Sequence, residues 1–134
     1  MIFVDTGAWF ESIIPSETNH SIAAGWLSRN NQPLLTTDFV VDETLTLLRA
    51  RHELVSALTL GAQLFNEEIA QIYYLTEEDI LAAWRLFSTY TDKEWSFTDC
   101  TSFELMRQLK IETAFAFDRH FNEAGLNRLP NVRT

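Results

Sequence analysis

The chain begins with the stretch IFVDTGA at residues 2–8, in which three apolar residues lead directly into an aspartate. A short run without polar residues is typical of a strand that is buried on both faces, as in a parallel sheet. Comparable runs recur at residues 33–36, 69–75 and 113–117, and helix-like stretches separate them. This alternation predicts an α/β fold with three layers, in which helices cover both faces of a central parallel sheet of four to five short strands.

The helix-like stretches have recognisable start and stop signals. TEED at residues 76–79 resembles a capping box, and Ser96 or Thr98 is predicted to cap the helix that follows. The pattern predicts helices from after Gly7 to residue 15, at residues 17–29, 39–52, 54–65, 77–90 and about 97–110, and an edge strand at residues 126–132.

The length of 134 residues suits one domain, which we place at residues 1–134. Hydrophobic residues make up 46% of the chain, enough to build a core, but no apolar run approaches the length of a membrane span. Residues 1–5 lack the basic region of a signal peptide, and the single cysteine cannot form an internal disulfide. We therefore expect a cytoplasmic protein without a membrane partner.

The charge balance argues against bulk electrostatic binding of nucleic acid, because 19 acids face 10 bases and the formal net charge is −9. Eight of the bases are arginines, however, and a guanidinium can bind phosphate with two parallel hydrogen bonds. Acids that share bound divalent cations would also reverse the local field. Nucleic acid therefore remains a candidate partner if the acids hold metal.

Two aspartates follow predicted strands, Asp5 after residues 2–4 and Asp118 after residues 113–117. The carboxyl ends of parallel strands form the crevice in which α/β proteins bind ligands. The alternative for each aspartate alone is a turn or helix-capping role, to which aspartate is well suited.

Glu43 is predicted to point inward from a helix. On a helical wheel it lies roughly 40° from Phe39, inside an apolar arc that includes Val40 and Leu47, whereas Asp42 lies on a polar flank. A glutamate facing the core without a partner is costly, so the alternative for Glu43 is a buried ion pair with an arginine.

Asp99 is likewise placed within an apolar stripe, between Phe103 and Met106, in the first turn of its helix. The alternative here is an acid that is satisfied by the helix dipole. Cys100 falls off this stripe, and nothing predicts that it is a nucleophile.

Four carboxylates in such positions could not all ionise at one place without a cation, and oxygen-rich sites suit Mg²⁺, with Mn²⁺ as the other candidate ion. Zinc-type spacings of cysteine and histidine are absent from the sequence. His20, His52 and His120 are scattered and are interpreted as surface residues rather than ligands.

Four stretches together resemble the PIN-domain nucleases, specifically the toxin half of VapBC-type toxin–antitoxin pairs. They are IFVDTGA at residues 2–8, VVDETL at 40–45, SFTDCTS at 96–102 and AFAFDRHF at 114–121. The resemblance implies Mg²⁺-dependent cleavage of RNA, an antitoxin partner and frequent homodimers. It implies that the metal-site acids are Asp5, Glu43, Asp99 and Asp118, supported by Thr6, Ser96 and Thr98.

Arg119 is a candidate contact for the scissile phosphate, and its alternative role is to neutralise nearby acids. A catalytically silent binding or assembly module of the same fold is the alternative function. A phosphoacceptor receiver domain is disfavoured because no lysine follows Asp118, and a haloacid-dehalogenase-type phosphatase because Gly7 stands where a second aspartate is needed. Most of the four tryptophans, Trp9, Trp26, Trp84 and Trp95, are expected in the core, and an exposed groove or dimer face around Trp9 and Trp26 is the alternative.

Overall fold

Five short parallel strands form the central sheet of the protein in a computed structural model that describes residues 1–131. Their order across the sheet is β3-β2-β1-β4-β5, so the first strand lies in the middle. The strands are β1 (Ile2–Val4), β2 (Leu34–Thr37), β3 (Gln71–Tyr73), β4 (Thr113–Phe115) and β5 (Asn127–Leu129). The predicted α/β fold with a parallel sheet is therefore confirmed, with five strands.

Seven helices occur among the described residues and flank this sheet. They are α1 (Thr6–Ile13), α2 (His20–Arg29), α3 (Asp38–Ala50), α4 (Leu54–Phe65), α5 (Glu77–Thr89), α6 (Phe97–Leu109) and α7 (His120–Glu123). The predicted α2 is three residues too long at its start, because two turns precede the helix. In these turns the Glu17 N–H donates to the Ile14 carbonyl and the His20 N–H donates to the Glu17 carbonyl. None of the helices described is both long and apolar enough to cross a membrane.

Three predicted strands are shorter than expected. The run at residues 69–75 pairs with β2 only over residues 71–73, and the run at 113–117 forms a strand only to residue 115. The edge strand predicted at 126–132 covers residues 127–129, and residue 132 lies outside the described part of the chain. Asp118 consequently stands three residues beyond its strand rather than directly at its end.

Side-chain caps fix where α5 and α6 begin. In each helix a hydroxyl accepts the backbone N–H three residues on, and the aspartate there accepts the N–H of the capping residue. The two pairs are Thr76 with Asp79 and Ser96 with Asp99. Of the two predicted caps for α6, Ser96 is therefore the cap, and Thr98 lies in the first turn.

The core is built around the fully buried β1 and is rich in aromatic rings. Trp9 and Trp95 are buried as expected, and the half-buried Trp26 stacks on Phe115 with ring centroids 4.2 Å apart. Trp84 is the exception: it is 55% exposed, because α5 turns this side chain away from the core. It stacks instead on Phe87 at the surface.

The strand order creates a crevice at the carboxyl end of β1. From β1 the chain passes to β2 and β3 on one side, whereas β4 and β5 lie on the other side. Val4 is in register with Phe115, and the Asp5 N–H donates to the Phe115 carbonyl at 3.1 Å. Such a switch in direction leaves an opening between the connecting helices, where α/β folds bind ligands.

Candidate metal centre

Asp5 lies at the floor of this crevice, immediately after β1. It precedes α1, but its carboxylate makes no capping hydrogen bond to that helix, so the side chain is not committed to a structural role there. Burial raises the pKa of Asp5 to about 8, and the nearby carboxylates Asp99, Glu43 and Asp118 add to the rise. The Thr6 backbone N–H opposes this shift only in part. Asp5 is therefore protonated at neutral pH unless a cation offsets these charges.

Asp99 is buried at the start of α6 and is oriented by the helix cap. Its Oδ2 atom accepts the Ser96 N–H at 3.0 Å, and its own N–H donates to the Ser96 hydroxyl at 3.0 Å. Burial raises the pKa of Asp99, with a contribution from Asp118, although the bonds from Ser96 and His120 work against this rise. The helix cap thus holds one oxygen of Asp99 at a fixed position in the crevice.

His120 lies between two of the acids, which corrects its interpretation as a surface residue. Its Nδ1 atom is 3.1 Å from Oδ2 of Asp99 and 3.1 Å from Oδ2 of Asp118. Its backbone N–H donates to Oδ1 of Asp118 at 2.9 Å. One potential ligand atom from each of these three residues lies within 4.8 Å of the others, a spacing that suits a shared cation.

Glu43 is half-buried and lies at the flank of α3 rather than on its buried face. The wheel prediction for α3 is displaced, because the side that packs inward carries Val40, Val41, Thr44 and Leu48. Glu43 nevertheless lies close enough to Asp5 to raise the pKa of that residue. Asp42 is exposed, as predicted.

No arginine or lysine within residues 1–131 forms an ion pair with any of the four acids. The alternative role for Glu43, a buried pair with an arginine, is therefore not observed in this range. Arg119 is exposed beside Asp118 and pairs with none of the acids in the described chain, so it does not neutralise them. The one basic side chain among them is the imidazole of His120.

Two hydroxyl residues and a cysteine complete the surroundings. Thr6 is buried, and its hydroxyl oxygen has no hydrogen-bond partner among the described residues. Thr98 is half-buried in the first turn of α6, next to Asp99.

Cys100 was predicted to lie off the buried side of α6, but it is fully buried. That burial, together with the charges of Asp99 and Glu104, raises the pKa of its thiol to about 11. A thiol with this pKa is a poor nucleophile, in agreement with the prediction.

The residues present suit a divalent cation bound through oxygen. Three carboxylates raise the pKa of a fourth, buried one, and a cation in their midst would reverse that effect. Carboxylate oxygens are the ligands preferred by Mg²⁺ and Mn²⁺. Sequence reasoning missed His120, although its position two residues after Asp118 was a usable signal, since a turn at Asp118 folds its ring back over the acids.

Comparison with known proteins finds relatives along nearly the whole chain. The family model described as PIN domain matches residues 2–126. The 23S rRNA-specific endonuclease VapC20 of Mycobacterium tuberculosis, from the strains CDC 1551 and H37Rv, is 32% identical over 127 residues, which cover 93% of this chain and 95% of that protein. The crystal structure of M. tuberculosis VapC20, described as a sarcin–ricin loop cleaving toxin, matches with a TM-score of 0.88 and 29% identity, covering 94% of this chain and 96% of the other.

Proposed function

The chain belongs to the PIN-domain family, and on that premise we propose that residues 1–134 form one nuclease domain that cleaves RNA as the toxin of a VapBC-type pair. The observation that carries the proposal is the cluster of Asp99, Asp118 and His120, whose potential ligand atoms lie within 4.8 Å of one another. The buried Asp5 lies beside this cluster, since burial and the nearby carboxylates of Asp99, Glu43 and Asp118 raise its pKa. A group of acids with one histidine is poorly suited to any role without a cation.

The proposed cofactor is Mg²⁺, with Mn²⁺ as the alternative ion. Asp5 and Asp99 would hold it directly, because both are buried at the crevice and neither is paired with an arginine or lysine in the described residues. Glu43 and Asp118 are more exposed and would hold a second ion or orient its waters. The ion, when bound, supplies the positive charge that acidifies water and stabilises charge on the phosphate oxygens.

The side chains of the protein position the remaining groups. Ser96 fixes the orientation of Asp99, and His120 holds the side chains of Asp99 and Asp118 close together. Arg119 is exposed next to Asp118, and its guanidinium can contact the scissile phosphate through two parallel hydrogen bonds. No general base among the histidines is required, because the ion itself would acidify the attacking water.

The substrate and partners follow from the relative. VapC20 is named for cleavage of 23S rRNA and of the sarcin–ricin loop. By analogy we propose a structured RNA as the substrate of this chain and a cognate antitoxin as its protein partner. A homodimer is the proposed assembly, on the grounds of family resemblance.

A cleavage assay with matched variants tests the function. Purified protein is incubated with structured RNA in Mg²⁺ or in EDTA, and Asp5→Asn and Asp99→Asn are compared with the native chain. Glu43→Gln is paired with Asp42→Asn, because Asp42 is the exposed neighbour on the same helix. We expect cleavage to need Mg²⁺ and to be lost in Asp5→Asn and Asp99→Asn, reduced in Glu43→Gln and retained in Asp42→Asn. Cleavage that persists in EDTA or in both aspartate variants would refute the proposal.

Calorimetry separates the nuclease from a silent module of the same fold. A nuclease should bind Mg²⁺ or Mn²⁺ through its carboxylates, and Asp99→Asn should weaken that binding strongly. The absence of carboxylate-dependent binding in the native chain would favour the silent module.

A further inference from the structure

His120 places one ring nitrogen beside carboxylate oxygens of two different segments. Its Nδ1 atom lies 3.1 Å from Oδ2 of Asp99, at the start of α6, and 3.1 Å from Oδ2 of Asp118, after β4. Two atoms that each bind one metal ion at about 2.0–2.2 Å lie about 2.8–3.6 Å apart when they occupy neighbouring positions around it. Both spacings fall in this range, so the nitrogen stands where a third ligand of an ion held by the two acids would stand.

The chain orients Asp118 and His120 together within one turn. The backbone N–H of His120 donates to Oδ1 of Asp118 at 2.9 Å, which leaves Oδ2 of the same carboxylate facing the imidazole. The side chains of Asp118 and His120 are 38% and 20% exposed, so an ion can reach this turn from solvent. Two ligands from one turn and a third from a capped helix make a site that needs little ordering before it binds an ion.

The far side of the imidazole is also provided for. Its Nε2 atom lies 3.9 Å from Oε1 of Glu123, within ion-pair distance, and that oxygen accepts the indole N–H of Trp95 at 3.3 Å. Trp95 is itself buried and meets Phe103 edge-on, with ring centroids 5.2 Å apart. A histidine that binds metal through one nitrogen generally directs its other N–H to a carboxylate, which fixes the tautomer that can bind. Glu123 stands in the position for that second role.

A nitrogen ligand changes which ion the site prefers. Mg²⁺ favours oxygen ligands and keeps much of its water, whereas imidazole is a strong ligand for Zn²⁺ and other late transition-metal ions. No second group of three such ligands, drawn from histidine, cysteine, aspartate and glutamate, occurs within residues 1–131. Histidine-dependent binding of a transition metal would therefore report on this position.

From this geometry we infer that His120 is a metal ligand and sets the ion preference of the centre, so that Asp99, Asp118 and His120 bind Zn²⁺ through two oxygens and one nitrogen. The inference rests on the proposed function for the metal centre and adds to it a position that Mg²⁺ fills poorly. Mg²⁺ remains with the carboxylates of Asp5 and Asp99. In the metal-free protein the Nδ1 proton lies between the two acids, and Zn²⁺ takes the place of that proton.

Calorimetry with two ions tests the inference without any measurement of activity. The full-length protein is titrated with Zn²⁺ and, separately, with Mg²⁺. His120→Ala is compared with His52→Ala, which removes an exposed histidine beyond the end of α3. Glu123→Gln keeps the size of that side chain but removes its charge, and Glu112→Gln makes the same change at an exposed glutamate. Circular dichroism and thermal melting confirm that each variant is folded.

Zn²⁺ binding is expected to depend on the imidazole far more than Mg²⁺ binding does. His120→Ala should weaken Zn²⁺ binding at least about tenfold and change Mg²⁺ binding by less than about threefold. Glu123→Gln should weaken Zn²⁺ binding by roughly tenfold, as expected for the loss of a carboxylate behind a ligating histidine. The two control variants should leave the affinity for both ions unchanged.

Diffraction at the zinc absorption edge gives a second measurement that needs no variant. Crystals of the native chain soaked in Zn²⁺ should show an anomalous peak about 2.0–2.1 Å from Nδ1 of His120. A zinc peak away from this nitrogen would overturn the inference. Equal weakening of Zn²⁺ and Mg²⁺ binding in His120→Ala would also overturn it, because the ring would then only position the acids, and so would an unchanged Zn²⁺ affinity in that variant.

Failure of this inference is distinguishable from failure of the proposed function. Mg²⁺-dependent cleavage that is lost in Asp5→Asn, with Zn²⁺ affinity indifferent to His120, would defeat the ligand role alone. Zn²⁺ bound through His120 in a chain that cleaves no RNA would defeat the nuclease and leave the site standing.

Discussion

The Nδ1 atom of His120 lies 3.1 Å from the Oδ2 atom of Asp99, a residue 21 positions earlier in the chain. A carboxylate oxygen only accepts hydrogen bonds, so this contact is satisfied when Nδ1 carries a proton. The bond ties α6 to the segment that follows β4, and it brings Asp118 to the same nitrogen atom. The imidazole partly offsets the repulsion between two acids that a bound cation would offset fully.

Replacing His120 by alanine is expected to destabilise the metal-free protein more than the metal-loaded protein. The variant loses a charge-assisted hydrogen bond, which is worth about 1.5–3 kcal/mol, and leaves Asp99 and Asp118 without their basic partner. Thermal melts in EDTA and in excess Mg²⁺ measure the two decreases in stability. Equal decreases in both conditions would show that the ring serves packing alone.

Asp5→Asn is expected to stabilise the metal-free protein at pH 7–8. The pKa of Asp5 is raised from 3.8 to about 8 by folding, so the native chain loses stability as the pH rises from about 4 to 8. The amide has no proton to lose, and the variant escapes this penalty. A gain of at least 1 kcal/mol corresponds to roughly 3–5 °C in the melting temperature for a chain of this size. If Asp5→Asn melts at a lower temperature than the native chain in EDTA at pH 8, the pKa of Asp5 is not raised.

Cation binding at pH 7 is expected to release protons. Because the pKa of Asp5 lies near 8 without metal, binding of Mg²⁺ or Mn²⁺ displaces its proton, and the apparent affinity rises with pH until about 8. Calorimetry in buffers with different ionisation enthalpies counts the protons. Asp5→Asn is the control, and proton release of the same size in that variant would assign the release to another group.

Ser96→Ala is expected to impair cleavage beyond its effect on stability. The change removes the cap of α6, which costs about 1 kcal/mol, and frees the backbone N–H of Asp99 from the bond that orients this residue. Thr76→Ala removes the equivalent cap of α5, away from the acids, and should cost similar stability without loss of activity. The melting temperatures and cleavage rates of both variants test this prediction. Equal cleavage rates for Ser96→Ala and Thr76→Ala would show that the Ser96 cap has no role in the site.

Arg119→Ala is expected to lower the rate of RNA cleavage by roughly tenfold and to leave metal binding unchanged, because an exposed guanidinium makes charge-assisted bonds to phosphate but contacts none of the four acids. Arg49→Ala, an exposed arginine near the far end of α3, is the matched control. Equal cleavage rates for Arg119→Ala and Arg49→Ala would show that Arg119 does not contact the substrate.

The strands and most helices could be predicted because their signals are local. Residues 2–4 are apolar without interruption, and α4 begins and ends at the predicted residues. The burial of Glu43 could not be predicted correctly, because a helical wheel shows which residues share a side but not which side meets a neighbour. The neighbours of α3 include α1 and α4, and the side of α3 that packs inward carries Val40 and Leu48.

Contacts between residues far apart in the sequence could not be predicted either. The role of His120 depends on a turn at Asp118 and on the start of α6, and no local pattern reports their meeting. Trp84 is similar, since its exposure depends on which side of α5 packs against α6. The hydrophobicity of Trp84, taken alone, favours a buried position.

In the proposed metal centre, the carboxylates of Asp5 and Asp99 together bind one divalent cation in the crevice beside β1. The most direct test is the anomalous diffraction of crystals of the native chain soaked in Mn²⁺. We predict an anomalous peak about 2–2.5 Å from carboxylate oxygens of both residues, and no such peak in Asp99→Asn. If this position stays empty at saturating Mn²⁺, and each carboxylate is bonded to a guanidinium or to water, Asp5 and Asp99 do not form a metal site.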